Sequence, residues 1–184
     1  MIRLIALFTL LASPLLAQDR QGNDTPGEWR VDHHKAFGLW DSMCDWRETD
    51  GLKETRCYLR YVDVFAPRPK FGAVFAFITP EVNGPRISFG FENGVQYQSD
   101  GFQIEGPNGP AWTLKDKTCI RLGECVFEGE TADPFLAALS AGDGHVLRQR
   151  FIDPHSRQQD LTWDLSRFPD ALADFQTQSE KRGL

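Results

Sequence analysis

The sequence predicts an all-β protein, a β-sandwich or barrel with one or two short helices. Three observations carry this. Short apolar or alternating runs recur every 8–12 residues between turn signals, the pattern of antiparallel sheet proteins. A hairpin can be written out residue by residue around Asp50-Gly51. Helical periodicity is confined to two late pieces.

The hairpin is the most specific of these. Gly tolerates the positive φ of a type I′ turn, so Asp50-Gly51 is a strong two-residue turn signal. Residues equidistant from it oppose each other, and Cys44 meets Cys57. In the same register Asp41 faces Arg60, Asp45 faces Arg56 and Arg47 faces Glu54 on one face. Trp40–Tyr61 and Trp46–Thr55 join the cysteines on the other. Cross-strand pairs of these kinds are worth about 0.2–1 kcal/mol each. A slip by one residue would set Trp40 against Arg60 and split the cysteines. Cys44–Cys57 falls at a non-hydrogen-bonded site, where Cα atoms come near enough for a disulfide. Closing that loop stabilises by about 3 kcal/mol in the chain-entropy view.

The other elements follow in order. Phe71–Thr79 is apolar and aromatic, a buried strand ended by Pro80. Ile87, Phe89 and Phe91 alternate with Ser88 and Gly90 in a half-buried strand. A tight hairpin at Asn93-Gly94 would oppose Phe91 to Gln96, a poor register, so a bulge or wider loop is expected there. Phe102 and Ile104 continue the alternation, and Gly106–Pro110 is a loop. Trp112 and Leu114 start a strand toward Cys119, with Val126-Phe127 as its return. Residues 133–139 read as a short helix with Asp133 as cap, Pro134 at the first position and Gly142 closing it. His145–Ile152 and Asp160–Leu165 form a last strand pair around a turn at 153–156. Residues 169–178 form a second helix, with Ala171, Leu172 and Phe175 on one face.

The N-terminus reads as an export signal. Arg3 precedes an apolar run, then Ser13-Pro14, then Leu15-Leu16-Ala17 before a polar stretch. The run is shorter than the roughly 20 residues of a membrane span. Cleavage is expected after Ala17. The reading is thus a signal at 1–17, a loose polar leader at 18–34, one sandwich domain at 35–178 and a tail at 179–184. After cleavage no segment reads as an integral membrane span. Four cysteines in an exported chain read as disulfides. Cys119 and Cys125, bracketing a turn that Gly123 permits, are the economical second pair. Neither pair has the Cys-x2-Cys spacing of structural zinc or of a redox motif.

The net charge is −6, with 20 Lys plus Arg against 26 Asp plus Glu. That balance argues against nucleic-acid binding, which relies on cations neutralising phosphates, and against a polybasic membrane patch. Signatures such as Gly-x-Ser-x-Gly, His-Glu-x-x-His and phosphate loops are absent from the sequence. Asp32-His33-His34 makes a poor chelate, because adjacent strand residues point to opposite faces. Asp153, His155 and Ser156 contain triad residue types but read first as a turn. Asp41, Asp45, Glu92, Asp160 and Asp164 are the carboxylates that a hydrolase acting on glycan or cell wall would need. The Arg partners of Asp41 and Asp45 favour a structural role. Trp40, Trp46 and Tyr61 read as core beside the disulfide, and Trp29 as the most exposed aromatic.

The order of features resembles a known family. Trp40-x3-Cys44 and Cys57 are followed by an apolar strand and a Gly94-Val95 turn. Cys119 and Gly123-Glu124-Cys125, a Leu/Ala-rich helix and Leu165-Ser166-Arg167-Phe168 before Ala171-Leu172 complete it. Across about residues 35–178 this looks like the invasion-associated locus B family of bacterial envelope proteins. The family usually has Gly where Glu124 and Arg167 stand here. The resemblance implies an immunoglobulin-like antiparallel β-sandwich in a periplasmic, secreted or surface-associated protein without a known catalytic site; from the residues themselves no cofactor and no bound metal are expected. Members in pathogens are linked with host-cell entry. The expectation is therefore a non-enzymatic protein that binds a protein or glycan of the envelope or host surface. The sandwich edge or loops would be its surface, and Trp29, Arg56, Tyr58 and Arg60 the candidate interaction residues. The alternative is the carboxylate-dependent hydrolase.

Overall fold

The computed structural model describes residues 28–66, 72–91, 94–115 and 118–184. The expected signal at 1–17, its cleavage site and the first part of the leader lie outside these residues, as do Phe71, Glu92 and Asn93.

Two antiparallel sheets pack face to face. Sheet A has the order β1-β2-β3-β4-β5-β8, from β1 (Arg30–Phe37), β2 (Trp40–Thr49), β3 (Leu52–Ala66), β4 (Gly72–Thr79), β5 (Arg86–Phe91) and β8 (Glu124–Phe127). Sheet B has the order β10-β9-β6-β7, from β6 (Gln96–Gly106), β7 (Gly109–Thr113), β9 (Val146–Ile152) and β10 (Gln158–Asp164). Among the described residues three α-helices accompany them: a single turn α1 (Thr118–Arg121), α2 (Ala132–Leu139) and α3 (Phe168–Glu180). The predicted class, a β-sandwich with short helices and two local disulfides, is the class observed.

The β2–β3 hairpin has the expected register at every position, Trp40↔Tyr61 through Thr49↔Leu52. Asp50 and Gly51 take φ of 54° and 76°, which is what the turn needs. Cys44–Cys57 is formed, with Cα atoms 4.1 Å apart. Its period of two sends Trp40, Cys44, Cys57, Leu59 and Tyr61 into the core. There Trp40 packs on Phe168 of α3 (ring centroids 4.8 Å), and Tyr61 lies 3.9 Å from Trp163 of β10. Asp63 accepts a hydrogen bond from Trp163 Nε1 at 2.9 Å, a polar tie between the sheets. A second aromatic cluster fills the other end: Phe89 meets Phe102 at 5.2 Å, and Phe135 of α2 meets Phe127 at 4.7 Å.

The structure corrects several expectations. No hairpin forms around Gly94, because β5 belongs to sheet A and β6 to sheet B. The chain changes sheets there, and a bulge falls later, between Tyr97 and Phe102 against β9. The stretch 106–110 is a tight hairpin closed by Gly106↔Gly109. β7 ends at Thr113, and β8 pairs with β5, so Val126-Phe127 is not its return. Cys119–Cys125 ties the α1 turn to β8. α2 begins at Ala132, so Asp133 and Pro134 sit inside its first turn. The free N–H groups of that turn tolerate proline, and the helix dipole favours a carboxylate there.

The domain limits also shift. Residues 30–34, read as loose leader, pair with β2 as part of β1. They are held by their side chains as well: His33 Nε2 lies 2.7 Å from Asp174, Lys35 3.8 Å from the same carboxylate, and Arg182 3.1 Å from Asp32. Burial alone would raise the Asp174 carboxyl, but His33 and Lys35 hold it below its ordinary value. At the other end α3 continues to Glu180, Ser179 is buried, and Leu184 N–H donates to the Ser179 carbonyl.

The β9–β10 turn is organised by Asp153, whose side chain is fully buried. It accepts the backbone N–H groups of His155 and Arg157 at 2.9 Å, Arg157 Nε at 2.8 Å and Gln159 Nε2 at 3.1 Å. Burial pushes the carboxyl up, and these donors more than reverse that, bringing it to about 2 from an ordinary 3.8. A depressed folded pKa gives stability that is complete above the unfolded value and lost as pH falls through the folded one. Asp153→Asn is therefore expected to be less stable at pH 7 and to lose less stability than the parent between about pH 4 and pH 2, measured by urea unfolding across that range. Replacing Cys44 and Cys57 together with Ala is expected to lower the unfolding free energy by about 2–5 kcal/mol, read from the same denaturation curves.

Candidate interaction site

Sheet B and α3 both pack on the inner face of sheet A, as the Trp163–Tyr61 and Phe168–Trp40 contacts show. Among the described residues no helix or second sheet packs on the opposite face of sheet A. The alternation of β2 and β3 that buries Trp40 and Tyr61 sends Asp41, Asp45, Arg47, Glu54, Arg56, Tyr58 and Arg60 to that face.

At its centre Arg56 grips Asp45 with two hydrogen bonds, Nε to Oδ1 at 2.7 Å and Nη2 to Oδ2 at 3.1 Å. Tyr58 donates its hydroxyl to Asp45 Oδ2 at 3.2 Å. Only the carboxylate of the pair is buried; the Arg56 side chain remains half exposed beside two aromatic rings. The Arg56 guanidinium lies 3.7 Å from the Trp29 ring centroid and 5.5 Å from that of Tyr58, and Arg47 lies 4.6 Å from Trp29. Asp45 retains only 3% of its exposure. Burial, and then the charge and hydrogen bond of Asp45, push the Tyr58 hydroxyl up. Asp45 holds the Arg56 guanidinium more firmly charged than usual. Two pairs along the same face, Arg60 donates to Asp41 at 2.8 Å, and His34 Nε2 lies 3.0 Å from the other oxygen. Burial would raise the Asp41 carboxyl, and its bonds to Arg60 and His34 lower it.

Toward β4 the face turns apolar. The β3–β4 register opposes Arg60 to Phe77 and Val62 to Phe75. Tyr58 and Phe77 are 6.0 Å apart, Phe77 and Phe75 5.8 Å. Val62, Phe75 and Val126 are 49%, 39% and 40% exposed. Phe75 lies flat across the backbone of β5: a Cβ built on Gly90 would stand 1.9 Å from its Cζ. Only glycine leaves that space.

All four candidate interaction residues thus sit on one sheet face, and neither a loop nor a sheet edge gathers them. Trp29 is half-buried on its two arginines instead of free in solvent. Trp46 is half-buried too, flanked by Arg30 and Lys53 at the end of the hairpin. Sequence reasoning missed Val62, Phe75 and Phe77. The run 71–79 is apolar at both parities and so reads as buried on both sides. The available signal was the hairpin register carried one strand further, with small Val74 and Ala76 inside and the two rings outside.

The other constellations are dispersed. Asp32, His33 and His34 reach Arg182, Asp174 and Asp41 respectively. Asp153 is spent on its turn. Asp160 engages Arg148 and Asp164 engages Ser166 on β10, far along the chain fold from Asp41 and Asp45 on β2. Among the described residues no three His, Cys, Asp or Glu side chains group as metal ligands, and no helix is long and apolar enough to cross a membrane.

These features define an all-antiparallel, disulfide-stapled β-sandwich. No family profile matches the chain, and no curated protein matches it. Among solved structures it is similar to the crystal structure of invasion associated protein B from Bartonella henselae, at 18% identity over 81% of this chain and 98% of that one, with a TM-score of 0.48.

Gly90→Val is expected to displace Phe75 and to cost about 1–3 kcal/mol in urea unfolding, because the backbone at this site leaves no room for both groups.

Proposed function

We propose that the chain is an exported, non-enzymatic protein of the invasion-associated locus B type, and that it binds a protein or glycan of the envelope or host surface through the outer face of sheet A. The observation that carries this reading is the continuous strip Trp29–Arg56–Tyr58–Phe77–Phe75–Val62 on a sheet face that no helix or second sheet covers among the described residues. Trp, Tyr and Arg are the residues that dominate binding energetics, and exposed apolar patches with polar rims are where partners dock. The strip is pre-organised: Arg56 is fixed by two hydrogen bonds and two rings, so little side-chain freedom is lost on binding. Export is supported by the charged, apolar, small-residue order of Met1–Ala17 and by two formed disulfides, which persist in oxidising compartments.

The test is photo-crosslinking on intact cells, with benzophenone side chains placed at Val62 and Tyr58, and at Thr162 on the exposed side of β10 as control. A discrete adduct from Val62 and Tyr58 but not from Thr162 is the expected result. Adducts of the same size from both faces, or none from sheet A, would reject this face as the binding surface.

A further inference from the structure

A cavity of about 280 Å³ lies between α2, the C-terminal part of α3 and the β4–β5 connection at residues 80–85. Helical spacing builds one wall. Leu172, Phe175, Gln176, Ser179 and Glu180 stand at i, i+3, i+4, i+7 and i+8 of α3, and all of them line it. Phe175 and Ser179 are buried, Leu172 and Leu136 of α2 are half-buried, and Glu81 and Glu180 are exposed. Apolar surface therefore lies deep, and the carboxylates stand at the mouth. Ser179 does not fit a plain apolar hollow. The residue keeps 5% of its exposure, and its Oγ has no hydrogen-bond partner. A buried hydroxyl left without a partner costs stability and calls for an explanation.

We propose that this cavity binds a small free amine with an apolar body, an aralkyl- or alkylammonium ion, held at its head by Ser179 Oγ and the carboxylates of Glu81 and Glu180. Charge supplies the first reason. Among the described lining residues Glu81 and Glu180 are the charged ones, and they reach the cavity from two different walls. Neither has a cation partner among the described residues. The cations nearby in sequence are engaged elsewhere. Arg86 binds Glu128 at 2.9 Å, Arg182 is held by Gln178 and Asp32, and Lys181 lines a separate groove beside Lys35 and Phe37 of β1. Hydrogen bonding supplies the second reason. An ammonium has three donors and no acceptor, so it suits a free hydroxyl oxygen and two carboxylates, where an anion would be repelled. Size supplies the third. The volume falls just under the usual range of drug-sized sites, which favours a small molecule over a peptide, and Leu136, Leu172 and Phe175 offer its body an apolar bed. The cavity shares no lining residue with the Trp29–Phe75 strip and does not depend on the role given to that strip.

The probe is 2-phenylethylamine. It is compared with 2-phenylethanol, which has the same body and no charge, with 3-phenylpropionate, which has the opposite charge, and with ethylamine, which lacks the body. Binding to the full chain is followed by amide shift titration in NMR and by calorimetry at pH 7. The expected result is saturable binding of 2-phenylethylamine with a Kd of about 1 mM or tighter, at least about tenfold tighter than any of the three comparisons, with the shifted amides within 80–86, 136 and 172–184. Ser179→Ala weakens binding about fivefold without lowering the urea midpoint, because it removes a hydroxyl that has no partner in the fold. Glu81→Gln with Glu180→Gln, two exposed substitutions, removes the preference for the amine over the alcohol. No saturable binding, equal binding of the alcohol or of ethylamine, or binding unchanged by Ser179→Ala would overturn the proposal. Nα-acetyl-lysine methylamide binding as tightly would also overturn it, since the occupant would then be a protein side chain and not a free amine.

Discussion

Everything in this fold leans on the parity of one hairpin. The side-chain period of a strand is two, so the cross-link between Cys44 and Cys57 decides at a stroke which residues of β2 and β3 see the core. With the cysteines inside, Trp40, Leu59 and Tyr61 are inside as well, and sheet B and α3 have an apolar floor to pack on. The same choice sends Asp41, Asp45, Arg56, Tyr58 and Arg60 to the other side. Core and candidate surface are two consequences of one covalent bond placed at one register.

The outer face of this acidic chain presents its cations already paired. Arg47, Arg56, Arg60 and Arg86 are each matched by a carboxylate. Their fields are therefore short-ranged, and the face offers planar guanidinium and ring surfaces in place of long-range attraction. Recognition on such a face works by contact and shape. Exposed pairs of this kind add little to stability, about 0–1 kcal/mol each, so their placement matters more for the surface than for the fold.

The parts of the structure legible in the sequence are those in which neighbours in sequence are neighbours in space. The β2–β3 and β9–β10 hairpins follow from turn chemistry and cross-strand matching, and both disulfides close short loops. What was not legible depends on choices made at a distance. Nothing local to Gly94 says that the chain leaves one sheet for the other, and nothing local to Val126 says that its strand joins Phe89 and not Trp112. The site was half visible for the same reason. Trp29, Arg56, Tyr58 and Arg60 stand in or beside the hairpin, whereas Phe75 and Val126 reach the face only through pairings settled by the whole sandwich. Residues 30–34 misled because they are polar. Their strand is secured by ladder bonds and by ion pairs with α3, which a search for apolar alternation does not register.

Those ion pairs place the first strand and the last helix of the domain side by side. Where the polypeptide enters and leaves at one spot, the folded unit can be carried like a bead on a loop: a segment can be spliced in before it and after it without stretching the body between. Tension applied to the two ends is met first by Asp32–Arg182 and His33–Asp174, and only after they part by the core. That clasp would be the mechanical fuse of the fold.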